Sequence, residues 1–223
     1  MSRPKREWYP GATYHVMSRG NRRTAIFKDE SDYLDFLEYI SETKKMFRFK
    51  LHSLCLMTNH FHIALETGDI ELWKIMHKLL LLYASNYNIK YKLTGHLFEN
   101  RYTACLIEDE RYFLEVSRYI HLNPVKAQMV RSPLDYEYSS YGLFVDAGHD
   151  SPEDLQATCD GGYKRNKARA VIKELVDTDR VLDAFRHNKR EQYRMFVEGR
   201  ISHAEQELLI QKDMKEDDMW LPW

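Results

Sequence analysis

Cysteine is too scarce and too scattered to build a covalent or thiolate framework. Cys55, Cys105 and Cys159 stand alone, odd in number and without a Cys-x-x-Cys. That argues against a disulfide scaffold or a thiolate zinc site and fits a reducing cytoplasm. Long apolar runs are also missing. The most apolar stretch, Leu79 to Tyr83 beside Lys78, is far too short to span a bilayer, so no membrane partner is expected. The opening residues carry Arg3, Pro4, Lys5 and Arg6 without an apolar segment, unlike a secretory leader. Repeats and low-complexity tracts are absent. So is any large excess of one charge: the formal net charge is −1, which does not advertise a polyanion binder.

What is present suits a globular chain. Hydrophobic residues make up 43% and aromatics 13% of 223 residues, enough for one large domain or one domain with an appendage. The near-zero net charge hides an asymmetry. Residues 1–145 hold 20 Lys/Arg against 17 Asp/Glu, while residues 146–223 hold 13 against 17. Seven basic residues and one acid, Glu7, fall within the first 28, a cluster able to neutralise phosphates locally.

The most informative stretch is Asn59-His60-Phe61-His62-Ile63. In a strand, alternate residues share a face, so His60 and His62 stand side by side while Phe61 and Ile63 turn to the core. Two adjacent imidazoles suit a divalent metal, although a pair alone is more often two histidines on a solvated strand face. Downstream, Glu110 to Asn123 has helical spacing, with Phe113, Leu114, Val116 and Ile120 as core contacts and Pro124 as the expected stop. Tyr119 and Asn123 are four apart and share the last turn, pairing a phenol with an amide oxygen. Tyr112 is a rival phenol, but Val116 occupies its corresponding position and cannot bind metal. Glu115 reads as a solvated helix charge and His121 as a packing residue.

These motifs, with Gly11 to Asn21, Phe98 to Tyr102 and Arg118 to Val125, resemble the HUH single-strand transposases. The likeness is greatest to the REP-associated tyrosine transposases and their insertion-sequence relatives. It covers about Arg3 to Phe144, roughly two thirds of the chain, and departs from many members at Thr58, where they carry Pro. The resemblance implies an enzyme that cleaves single-stranded or hairpin DNA and transfers the strand. Tyr119 is the expected nucleophile, leaving a 5′-phosphotyrosine and a free 3′-hydroxyl. His60, His62 and Asn123 are the expected ligands of Mg²⁺ or Mn²⁺. Kinship with the REP-associated members implies a monomer, whereas small insertion-sequence relatives are dimers. A non-catalytic nucleic-acid-binding module derived from a transposase is the alternative. For DNA contacts the candidates are Arg19, Asn21, Arg22 and Arg23 after the first strand, and Arg101 before the fourth. Trp8, Tyr14 and Tyr102 offer rings for unpaired bases, with core packing the stronger expectation for Tyr14.

Along the chain, Ala12 to Ser18 reads as a strand followed by a loop in which Gly20 permits a positive φ. A helix capped by Ser31 or Asp32 runs to about Met46, with Tyr33, Phe36, Leu37 and Ile40 inward. Phe47–Met57 and Asn59–Glu66 form a hairpin, Ile70–Lys90 a long amphipathic helix, and Tyr102–Ile107 a fourth strand. The order β-α-β-β-α-β predicts an α+β, ferredoxin-like antiparallel sheet, with helices on one face and the tyrosine helix across the other. Residues 1–145 are the expected catalytic domain, 146–162 a linker rich in Asp, Gly and Ser, and 163–223 a C-terminal helical segment.

Overall fold

The computed structural model describes residues 7–145 and 161–199. Four strands, β1 (Thr13–Arg19), β2 (Lys50–Met57), β3 (His60–Glu66) and β4 (Thr103–Ile107), form one sheet in the order β2-β3-β1-β4. Every neighbouring pair is antiparallel. The histidine strand β3 is therefore interior, paired on both sides. Helices α1 (Glu30–Phe47) and α2 (Leu72–Tyr91) cover the face into which Phe61 points, where its ring meets Phe36 of α1. Helix α3 (Glu110–Lys126) lies over the opposite face. The sheet is the ferredoxin-like platform that the element order predicts.

Register here follows from burial. Phe61 and Ile63 are fully enclosed among the helices, and a one-residue slip would expose both and drive the histidines into the apolar layer. The first helix starts earlier than expected. Its N-cap is Asp29, whose side chain accepts from the Asp32 backbone, and Asp32 answers as the third residue of a capping box. Asp32 is buried, and its carboxylate also receives Lys90 and Tyr91, pinning α1 to α2. Because α1 runs through Phe47 and closes on left-handed Arg48, β2 begins at Lys50 rather than Phe47.

The tyrosine helix runs past the expected stop. Pro124 lies within it, and helical structure continues to Lys126. So near the C-terminus a proline removes a single ladder bond, which a buried ring in good contact can offset. After a short α4 (Tyr141–Val145), residues 146–160 lie outside the described residues, as do those beyond 199. Gly161 and Gly162 of the expected linker already belong to α5 (Gly161–Leu175). Helices α5, α6 (Asp179–Asp183) and α7 (Lys189–Glu198) follow, α5 packing on α1 and α7 on α3 and α4. The Asp177 amide donates to the Leu51 carbonyl at 2.8 Å, joining this segment to the outer edge of β2. Among the described residues no helix is long and apolar enough to cross a membrane.

Candidate active site

Residues paired across antiparallel strands share a face. His60 stands opposite Arg19 and Met57, and His62 opposite Met17 and Cys55. The two imidazoles are 5.0 Å apart between ring centroids and perpendicular. His62 is 4% exposed, which is not the setting of a solvated strand histidine. Burial, then the neighbouring His60, His15 and Lys126, holds its pKa well below the ordinary value. It is neutral at physiological pH, the form in which imidazole binds metal.

A third histidine, not among the sequence candidates, completes the cluster. His15 of β1 stacks on His62 with centroids 5.2 Å apart, and its Nε2 lies 3.0 Å from His62 Nδ1. Burial lowers its pKa to about 4. The signal in the sequence was the alternation of Thr13 to Arg19, which places His15 and Met17 opposite buried Tyr14 and Val16. Only the pairing of β1 with β3 shows that this face is the histidine face.

Tyr119 arrives from above. Its ring meets His62 edge-on at 5.4 Å and His15 at 5.7 Å. The helix that carries it is held by a buried polar chain. Ser53 of β2 bonds Ser117 at 2.7 Å, Ser117 bonds the Tyr193 hydroxyl at 2.8 Å, and that hydroxyl bonds His121 Nδ1 at 2.7 Å. His121 Nε2 then meets Ser140 at 2.8 Å. His121 is thus a packing residue, as its position opposite Tyr119 suggests. Glu115 lies beside Arg118 at 3.7 Å.

Asn123 follows Tyr119 by one turn and is 8% exposed. Its Nδ2 donates to the Tyr119 carbonyl at 3.2 Å, so Oδ1 is the side-chain atom that keeps lone pairs to offer. Among the described residues no group of three or more His, Cys, Asp or Glu is arranged to hold a metal. Asn123 adds an amide oxygen on the helix turn that follows Tyr119. A donor set of two imidazoles and one amide oxygen would fit Mn²⁺ well and Mg²⁺ acceptably. Lys126, one further step along the same helix stripe, places Nζ 4.3 Å from the Tyr119 ring centroid.

The arginine candidates collect at one end of the sheet. Arg19 faces out beside His60 but is paired with Glu99 at 3.1 Å, and Asn21 donates to the His96 carbonyl at 3.4 Å. Arg22, Arg23 and Arg101 are exposed. The loop around Leu97 to Glu99 is stitched to the end of β1 by backbone bonds from Asn21 to Leu97 and from Glu99 to Arg19. The turn differs from expectation in one respect. Gly20 is extended at φ −61°, and the positive φ values fall on Arg22 (53°) and Arg23 (57°). Glycine is required at position 20 for space: a Cβ there would meet the Thr24 carbonyl oxygen at 2.2 Å. Of the aromatic candidates, Tyr14 and Tyr102 are buried in the core, while Trp8 is half-buried and donates to Thr67 at 3.2 Å.

An antiparallel sheet of this order, with paired histidines on its open face and a helical tyrosine laid over them, has the architecture of an HUH-type transposase. A family model described as "Transposase IS200 like" matches residues 9–123, just over half of the 223 residues, and the chain belongs to that family. Membership places it among DNA-cleaving enzymes of transposition. A solved structure of a REP-associated tyrosine transposase bound to a REP hairpin superposes with a TM-score of 0.56 at 20% identity. The match covers 65% of this chain and 86% of that one, and it establishes the fold. A Deinococcus radiodurans R1 protein described as a transposase aligns over 53% of this chain and 95% of its own. Its TM-score of 0.39 at 16% identity is too low to bear on the site. No curated protein sequence matches the chain.

Proposed function

We propose that the protein is a metal-dependent single-strand DNA endonuclease and strand transferase that acts on hairpin-bearing DNA through Tyr119. The observation that carries this is the placement of the Tyr119 ring 5.4 Å from His62 on the open face of its own sheet. The Tyr119 oxygen attacks the scissile phosphorus and the bond to the 3′ oxygen breaks. That oxygen leaves as a 3′-hydroxyl after taking a proton, and the 5′ phosphate remains esterified to Tyr119. A phosphotyrosine conserves the bond, so a second 3′-hydroxyl can displace the tyrosine without ATP.

His60, His62 and Asn123 would hold Mn²⁺ or Mg²⁺, which supplies charge at the non-bridging oxygens and orients the phosphate. His15 holds His62 in its place. The Lys126 side chain places its Nζ 4.3 Å from the Tyr119 ring centroid, a cation close to the attacking residue. Arg19, Asn21, Arg22, Arg23 and Arg101 sit at the end of the sheet nearest His60, where a strand entering the site would lay its phosphates. The hairpin bound by the REP-associated structure supports a hairpin as the recognised partner here.

The test is incubation with labelled hairpin-bearing single strands and Mn²⁺ or Mg²⁺. Wild type yields a denaturation-resistant protein–DNA adduct, and Tyr119→Phe yields none while binding the same DNA nearly as well. An adduct of equal yield from the Phe variant removes Tyr119 from the reaction. No adduct from wild type across a broad oligonucleotide library favours a binding module without catalysis.

A further inference from the structure

Asn59, the first residue of the histidine motif, makes three hydrogen bonds that together decide the chemistry of its neighbour. Its Nδ2 donates to the Arg23 carbonyl at 3.1 Å. Its Oδ1 lies 2.6 Å from His60 Nδ1. Its backbone carbonyl accepts from the Gly20 amide at 2.8 Å. A carbonyl has no proton to give, so the side-chain atom facing Arg23 must be the NH₂ group. That fixes the amide orientation without reference to the histidine. The atom facing the imidazole is then an oxygen, which only accepts, so His60 Nδ1 must carry the proton. In a neutral ring Nε2 is left as the nitrogen with the lone pair.

We propose that Asn59 is a positioning residue that locks His60 in its Nδ1-protonated tautomer and ties that ring to the Arg22–Arg23 turn. This rests on the metal-site function proposed above for its consequence, because the locked tautomer reserves Nε2 for a divalent cation. The tie to the turn has its own basis. Arg22 and Arg23 both adopt left-handed φ, a conformation that L-residues hold only with outside support. The Asn59 amide provides that support at the Arg23 carbonyl. One side chain thus links the ring intended for the cation to the basic turn intended for the DNA backbone. A merely structural asparagine closing the β2–β3 hairpin would need neither side-chain bond.

Two readouts test this on the full chain. Two-bond proton–nitrogen correlation of ¹⁵N-histidine-labelled, metal-free protein at about pH 8, above the imidazole range, reports each tautomer. Calorimetry with Mn²⁺ reports affinity. Wild type is expected to show His60 protonated on Nδ1. Asn59→Ala should move the proton largely to Nε2 and weaken Mn²⁺ binding about ten- to a hundredfold. Asn59→Asp keeps the acceptor but loses the donor to Arg23, so it should retain both the tautomer and the Mn²⁺ affinity while weakening hairpin binding. An Nε2-protonated His60 in wild type, or an unchanged tautomer in Asn59→Ala, overturns the proposal. Should wild type show Nδ1–H yet bind no Mn²⁺, the metal-site function fails while control of the ring by Asn59 stands.

Discussion

His15 Nε2 stands 3.0 Å from His62 Nδ1, and the two rings stack at a centroid distance of 5.2 Å. The residues are diagonal neighbours across β1 and β3, close enough for large side chains to meet. Both rings are neutral, so one nitrogen of this contact donates and the other accepts. When His62 uses Nε2 as a ligand, its Nδ1 must carry the proton and His15 must accept it.

His15→Ala is therefore expected to weaken Mn²⁺ binding about 10- to 100-fold, the usual consequence of losing a partner behind a ligand. Hairpin affinity in the absence of metal should be nearly unchanged, because His15 is remote from the basic turn. His15→Gln, whose side-chain oxygen still accepts, should recover part of the affinity. Calorimetry and gel retardation on the three proteins check this. Equal Mn²⁺ affinity in His15→Ala would reduce His15 to packing.

Gly20→Ala tests the basic turn by a different route. The added Cβ would lie 2.2 Å from the Thr24 carbonyl oxygen and 2.8 Å from Ile26 Cγ2. Backbone cannot swing aside as a flexible side chain does, so the turn must shift. We expect a loss of roughly 1–3 kcal/mol in urea unfolding, the range for overpacked sites. Hairpin binding should fall more than Mn²⁺ binding. A variant with wild-type stability and DNA affinity would show that the turn adapts.

Much of this was legible from local patterns. Alternation in Asn59 to Glu66 placed the histidines on one face, and helical spacing placed Tyr119 with Asn123. What escaped depended on pairing or on side-chain competition. His15 joins the site only through the register of β1 on β3, which no local window contains. Asp29 captures the helix start from Ser31 and Asp32 because Asp32 is needed as the reciprocal partner and as the anchor for Lys90. Pro124 fails to end α3 because its cost falls on one bond in the last turn. Gly20 was read as a source of positive φ, whereas close approach of Thr24 is what demands it. The polar chain through Ser53, Ser117, Tyr193 and His121 is made of bonds between residues 64 to 76 positions apart, and none of the four is unusual alone.

Buried neutral histidines set the acid limit of stability. His121 is fully buried, and desolvation lowers its pKa to about 3. Unfolded, it titrates near 6.5. The unfolded chain therefore takes up the proton first as pH falls. The contribution of His121 is complete above about 6.5 and is lost progressively as pH drops from there toward 3. Burial likewise lowers His52, with the same sign. Urea midpoints measured between pH 7.5 and 5 should fall for wild type. They should fall less for His121→Asn, which can still bond Tyr193 but binds no proton. Parallel profiles for the two proteins would locate the acid sensitivity elsewhere.

Whether Tyr119 serves its own sheet is the prediction with the widest consequence. Helix α3 reaches the histidines of the same chain after only two residues beyond β4, and three separate contacts from the C-terminal segment fasten it there. Arg180 of α6 pairs with Glu110 at 2.7 Å and lies 4.2 Å over the Phe113 ring, holding the start of the helix. The Tyr193 hydroxyl bonds Ser117 and His121 in its middle. Arg118 lies over the Phe196 ring at 5.0 Å. Exchange of α3 with a second chain would break all three or require the C-terminal helices to move with it. We therefore expect a monomer acting in cis, visible as a single-chain mass in sedimentation equilibrium. Tyr119→Phe lacks the proposed nucleophile and His60→Ala a proposed ligand, so each alone should form no adduct. Mixed, they should remain inactive, because neither chain holds a complete site. Recovery of adduct in the mixture would mean that one chain lends Tyr119 to the histidines of another, and the cis assignment would fall with it.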